Sequence, residues 1–103
     1  MIVRAWRGQA LSSKASAYSE HFRRKVLPEL ESIEGFLGAA LLRNDGADAV
    51  EYLVLTRWAS MDAIRAFAGD DVGKAVVEPE AVAALVSFDR TVRHYEVVQE
   101  TSR

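Results

Sequence analysis

The chain has no cysteine, and its 103 residues include only two prolines and six glycines. No stretch approaches the ~20 consecutive apolar residues of a membrane-spanning helix. Without cysteine there is no disulfide, no thiolate nucleophile, no zinc–thiolate site and no iron–sulfur cluster. Charge of one sign is lacking too: 13 basic and 15 acidic residues leave a formal charge of -2. No strong field is expected, so neither nucleic acid nor a membrane surface is an expected partner. The one basic cluster, Arg23, Arg24 and Lys25, reads as the solvated face of a helix. The N-terminus has no charged leader, apolar h-region or cleavage site, and with the missing cysteines this gives a cytoplasmic expectation. No Ser-His-Asp set, carboxylate pair, phosphate loop or metal-ligand spacing occurs, so no metal is expected.

What is present fits one globular domain over 1–103, with a core of about 2–98 and a short tail, "QETSR", at 99–103. "MIVRAWRG" alternates as a strand, ended by Gly8, and Ser12 or Ser13 is an N-cap for the first helix. Ala15, Tyr18, Phe22 and Val26 fall on one helical stripe, which Pro28 should kink or break near Leu27. Gly35 closes that segment. Residues 36–43 and "AVEYLVLTRW" then form a hairpin about the turn "RNDGAD". Ser60 caps a second helix that buries Ile64 and Phe67, and Gly69 interrupts it. "DDVGKAVVEPEAVAALV" reads as further helix broken near Pro79, and "DRTVRHYEVV" as a fourth strand. The order β-α-β-β-α-β is that of an α+β, ferredoxin-like fold with an antiparallel four-stranded sheet.

Both helices of such a fold lie on one face of the sheet. The other face cannot be polar here, because the second and third strands are apolar on both sides. An uncovered apolar face of that size exceeds what a soluble monomer tolerates. A homodimer through the open sheet face is therefore expected.

"RAWRG", "PELESIEGFLGAALLR", "EYLVLTRWASMDAIRAFAG" and "TVRHYEVV" together resemble the antibiotic biosynthesis monooxygenase superfamily over about residues 2–98. The resemblance implies a dimeric α/β barrel. It also implies oxidation of a small aromatic, quinol or polyketide-like substrate by O2 with no cofactor. A second reading, from the uncharacterised members, is a non-catalytic barrel that binds a small apolar ligand or serves a stress role. The heme-degrading branch relies on an Asn in the first strand, a Trp in the second helical region and an axial His shortly after. Here the single Asn, Asn44, sits in the hairpin turn. Phe67 stands nearest the Trp position, and the stretch just after Gly69 has no His, so heme degradation is not expected.

Cofactor-free oxygenation requires an acceptor for a hydroxyl proton, a group that stabilises the anion, and dry aromatic walls. His94 is the candidate acceptor, because an ordinary imidazole titrates near ~6.5. The resemblance adds Trp58 as a cavity residue, with packing as the competing role. His94 and Tyr95 point to opposite faces of their strand, so at most one enters a cavity. Trp6, Tyr18, Phe22, Arg4 and Phe67 are the candidate substrate-binding residues. His21 lies some 120° from the centre of the apolar stripe and is expected to be exposed. Arg57 and Arg93 are expected to form interface ion pairs.

Overall fold

The computed structural model describes residues 1–103. Its centre is β1 (Ile2–Leu11), which pairs antiparallel with β3 (Ala49–Trp58) over its whole length, from Ile2 opposite Trp58 to Leu11 opposite Ala49. β2 (Phe36–Asp45) is the hairpin partner of β3 and forms one edge. The other edge is built by two short strands, β4 (Ser87–Phe88) against Gly8 and Gln9, and β5 (Arg93–Glu96) against Ile2 to Ala5. The helices are α1 (Ala15–His21), α2 (Leu27–Glu31), α3 (Met61–Ala68) and α4 (Pro79–Ala84). This is the ferredoxin-like arrangement. No helix is long and apolar enough to cross a membrane.

Local chemistry accounts for most boundaries. Ser60 is the N-cap of α3, its hydroxyl accepting from the Ala63 N–H at 3.2 Å. Gly35 and Gly69 have φ of 92° and 84°, the left-handed region that glycine enters without strain, and Gly69 is the C-cap of α3.

Five expectations are corrected. Gly8 does not end β1; it sits mid-strand between Tyr52 and Phe88, where a Cβ would lie 3.0 Å from the Trp6 ring. Glycine is there for close packing, not for a turn. Neither Ser12 nor Ser13 caps α1 through its side chain, because a short 3-10 turn over Ser12–Lys14 leads into the helix. Pro28 does not break the first helical segment. A π turn over Phe22–Val26 widens the backbone just ahead of it, and Pro28 enters as a first-turn residue of α2, where its missing N–H is tolerated. Finally, residues 69–78 are mostly irregular, and the fourth strand is split.

That split has a cause in the hydrogen bonding. Between β4 and β5 the chain leaves β1 and pairs with the irregular segment: Ala75 N–H donates to Arg90 O, Val92 N–H to Gly73 O, and Lys74 bridges Thr91. The sheet edge thereby holds segment 69–78 over the helix-side face.

Two hydrophobic clusters fill that face. One gathers Ala10, Ala15, Tyr18, Phe22, Val50, Tyr52, Ala81, Ala84 and Leu85. The other gathers Leu30, Trp58, Ala63 and Ile64. The opposite face carries Ala5, Leu53, Leu55 and Tyr95, and Tyr95 is half exposed.

Candidate functional site

Alternation along β1 and β3 puts Arg4, Trp6, Val54 and Thr56 on the face beneath the helices. Tyr18, His21 and Phe22 come down from α1 and the π turn, Phe67 from α3, and Val76 to Glu78 from the irregular segment. Together they line a cleft with a cavity volume of about 60 Å³, and eleven of its sixteen lining residues are hydrophobic. Trp6 and Tyr18 adjoin in its wall, and Tyr52 backs Tyr18 from the core. The Trp6 and Tyr18 rings are 6.0 Å apart, and Tyr18 lies 5.1 Å from Tyr52, whose hydroxyl donates to Ala15 O at 2.8 Å.

Arg4 is the cation of this cleft. It is 5% exposed, and its guanidinium donates to Val72 O at 2.6 Å and Lys74 O at 3.0 Å. Its third partner is His94 Nε2 at 3.0 Å, and it stands 5.9 Å over the Phe67 ring. None of the molecule's five ion pairs includes it. Burial lowers its pKa, yet an arginine so far above neutral stays charged. This is a buried positive charge compensated by dipoles alone.

The same contact defines His94. A guanidinium only donates, so Nε2 of His94 must accept, which places the ring proton on Nδ1. Burial first, and the Arg4 charge second, hold the His94 pKa below the ordinary imidazole value. Its basic lone pair is occupied, and the side chain does not line the cleft. Tyr95 stands on the opposite face, as strand alternation requires.

Trp58 is also off the wall. It is fully buried among Phe36, Phe67 and Leu30, and its indole N–H donates to Thr56 Oγ1 at 2.8 Å. Thr56 is the lining residue, so Trp58 stands one side chain behind the cleft. Arg4, Trp6, Tyr18, Phe22 and Phe67 all line it. Arg93 lies on the open sheet face, and the Arg57 guanidinium lies against Gly38 there. The basic run Arg23, Arg24 and Lys25 is exposed on the π turn.

The structure adds residues that periodicity did not bring forward. His21, expected on the surface, is 7% exposed and lines the cleft. The apolar stripe marks the side of α1 that faces the sheet, but α4 packs against α1 from beside it. The small residues Ala81 and Ala84 let that helix come close. The alanine-rich stretch "EAVAAL" was the signal available in the sequence. Tyr18 is held neutral: burial, and then Tyr52, push its hydroxyl pKa up, so it is a donor and not a base. At the rim, burial and then the neighbouring Glu78 carboxylate raise the pKa of Glu29.

Comparison with known proteins agrees with this architecture. No curated protein sequence matches the chain significantly. Among solved structures, an antibiotic biosynthesis monooxygenase assigned in Bacillus cereus superposes with a TM-score of 0.70 at 17% identity, covering 99% of this chain and 97% of that one. SnoaB, a cofactor-independent oxygenase from Streptomyces nogalater, gives 0.66 at 20% identity over 99% and 98%. The heme degrader MhuD from Mycobacterium tuberculosis, with two hemes in its active site, gives 0.66 at 21% identity over 99% and 100%. Its heme-free form gives 0.61 at 26% identity over 100% and 98%. The family profile matches residues 1–79, from the start of β1 to the first residue of α4. By that match, and with the strand order of its sheet, the chain belongs to the antibiotic biosynthesis monooxygenase family.

Proposed function

We propose that this protein is a cofactor-independent monooxygenase that oxidises a small aromatic, quinol or polyketide-like hydroxyl compound with O2. The observation that carries the reading is Arg4, a buried guanidinium with no carboxylate partner at the wall of an aromatic cleft. Taking a charge out of water is costly unless an opposite charge or fixed dipoles compensate it. A site that holds a cation on neutral partners alone, two carbonyls and an imidazole, is prepared for an anion that forms during the reaction. A phenolate or enolate is such an anion, and its electron-rich ring is what can pass an electron to O2. Trp6, Tyr18, Phe22 and Phe67 supply apolar aromatic walls against which a planar ring can pack away from water. The neutral Tyr18 hydroxyl is available as a donor to a ligand oxygen.

The cleft of about 60 Å³ is smaller than the few hundred Å³ of ordinary ligand pockets, so a ligand must widen it on entry. Val76, Val77 and Glu78 line it from the irregular segment 69–78. A heme fits these residues poorly. A porphyrin is several times larger than the cleft, and the His94 nitrogen is engaged by Arg4, which leaves His21 Nε2 as the one imidazole nitrogen at the cleft without a partner. No group of three metal-binding side chains comes together elsewhere.

The test is oxygen consumption with a panel of anthrones and hydroquinones in chelator-treated buffer. Turnover that Arg4→Met abolishes supports the reading. Saturable binding with no turnover across the panel favours the non-catalytic barrel, and a 1:1 heme titration with a shifted Soret band favours heme chemistry instead.

The assembly belongs to the same proposal. The open sheet face, with Leu53, Leu55 and Tyr95, is covered by a second copy of the chain. Sedimentation at micromolar concentration is expected to give a dimer, and a stable 11.4 kDa monomer would remove this part.

A further inference from the structure

We propose that His21 is the proton acceptor of this site, and that its pairing with Glu80 carries the proton out through the seam between α1 and α4. The proposal rests on the oxygenase reading for its ligand class, an aromatic compound with an acidic hydroxyl, but it is tested apart from it.

Three observations place His21 in that role. First, its Nε2 is buried and has no hydrogen-bond partner, and it is the sole buried side-chain nitrogen or oxygen in the protein so left. An unpaired buried polar atom is destabilising, so a histidine kept merely for packing would be a poor choice there. Second, the side chain lines the aromatic cleft beside Tyr18, ring centroids 6.3 Å apart, in the same cleft as Arg4. Third, His21 also lines a separate surface groove with Glu80, Lys14 and Arg24. Its Nδ1 is 3.4 Å from Glu80 Oε2, and that carboxylate is 63% exposed on its side chain. One ring therefore bridges the enclosed cleft and the solvent.

The partners fix the tautomer. A carboxylate only accepts, so Nδ1 carries the proton and Nε2 keeps its lone pair. The substrate O–H bond breaks and an Nε2–H bond forms. The product is an oxyanion beside the Arg4 guanidinium and an imidazolium beside the Glu80 carboxylate. Loss of the Nδ1 proton to Glu80, and from there to water, completes the transfer with one proton in and one out. Tautomer exchange through water, when product leaves the cleft, restores the acceptor. The two side chains divide the work: Arg4 holds charge, and His21 moves a proton. His94 is unsuited to the second task because Arg4 already occupies its lone pair.

The experiment uses 4-nitrophenol as a chromogenic probe, at a pH where the free phenol is protonated, with the protein 15N-labelled at histidine. Binding is expected to produce the phenolate band and, at the same time, to move the His21 Nε2 resonance from the lone-pair to the protonated position. His21→Gln is expected to lower the bound phenolate band at least fivefold, and to lower the oxygen-consumption rate with dithranol by ~10²-fold or more. Glu80→Gln, an exposed change that leaves the core intact, should slow that rate several-fold with binding retained. Circular dichroism checks that both variants are folded.

The inference is overturned if the phenolate forms while His21 stays neutral, if 4-nitrophenol at millimolar concentration does not bind, or if His21→Gln turns over dithranol at the wild-type rate. A phenolate band with His21 protonation, but no oxygen uptake from any substrate, would leave the proton acceptor standing and remove the oxygenase reading.

Discussion

The two ends of the helix-side face hold comparable aromatic material and put it to different use. Around Trp58, the rings of Phe36 and Phe67 pack at 5.4 and 5.8 Å, the indole N–H has its acceptor, and nothing polar is left over. Around Tyr18, the rings of Trp6 and Tyr52 pack as closely, at 6.0 and 5.1 Å, but the polar groups along the cleft they border are incompletely matched. Arg4 has no anion, His21 Nε2 has no partner, and Glu29 faces another carboxylate. Aromatic content alone therefore does not distinguish core from site in this fold. The distinction lies in whether the polar atoms among the rings have found partners inside the protein.

The largest effect should come from opening the sealed end. Trp58→Ala removes a fully buried side chain, and about 3–5 kcal/mol of stability should go with it, read from urea denaturation. A loss below about 1 kcal/mol would mean that this end is not a rigid core, and the contrast with the cleft would collapse.

Arg4→Met should act the other way round. Catalysis of phenol oxidation should fall ~10²–10³-fold, while stability changes by less than about 2 kcal/mol. Removing the buried charge relieves its desolvation, which offsets the hydrogen bonds lost to Val72 and Lys74. Parallel loss of stability and rate would place Arg4 in the structural class with Trp58.

Thr56→Val joins the two ends, since Thr56 lines the cleft and accepts from Trp58. It leaves the indole N–H unpaired at constant shape, and about 1–3 kcal/mol should be lost. Trp58 fluorescence should report the change of partner.

The smallest effect expected is on acidification. The folded-state pKa of His94 lies below its unfolded value of about 6.5, so the folded state binds fewer protons. The stability tied to that difference is present above pH ~6.5 and is lost as pH falls through that value toward the folded pKa. Protonation removes the lone pair that Arg4 donates to, so the Arg4–His94 contact should part in the same range. His94→Gln should flatten the stability–pH curve there, and an unchanged slope would show that His94 does not titrate with folding.

Much of this architecture was legible in the sequence, because strand alternation and helix stripes are local. The β1–β3 pairing, the Ser60 cap and the glycines at 35 and 69 all follow from short-range chemistry. The residues lining the cleft on those regular elements, Arg4, Trp6, Tyr18, Phe22 and Phe67, followed from the same patterns and from the family resemblance. What escaped was set by contacts distant in sequence. His21 is buried by α4, some sixty residues away, and no property of α1 announces that. His94 carries the residue type of a base, but Arg4 takes up its one lone pair. Trp58 reads equally as wall or plug until Thr56 is seen to take its N–H.

The π turn over Phe22–Val26 has a consequence for how this site can vary. A π turn inside an α-helical run is the footprint of one surplus residue. Five residues of such a turn sweep about the same angle as four of regular α-helix, so the surplus residue is taken up without turning the flanking segments relative to each other. Deleting one residue inside Phe22–Val26 would close the widened turn and leave Tyr18 and His21 facing the cleft. This stretch can therefore change length by one residue without moving the site. Related chains shorter by one residue here should be aligned with the gap inside the π turn before their histidines are compared.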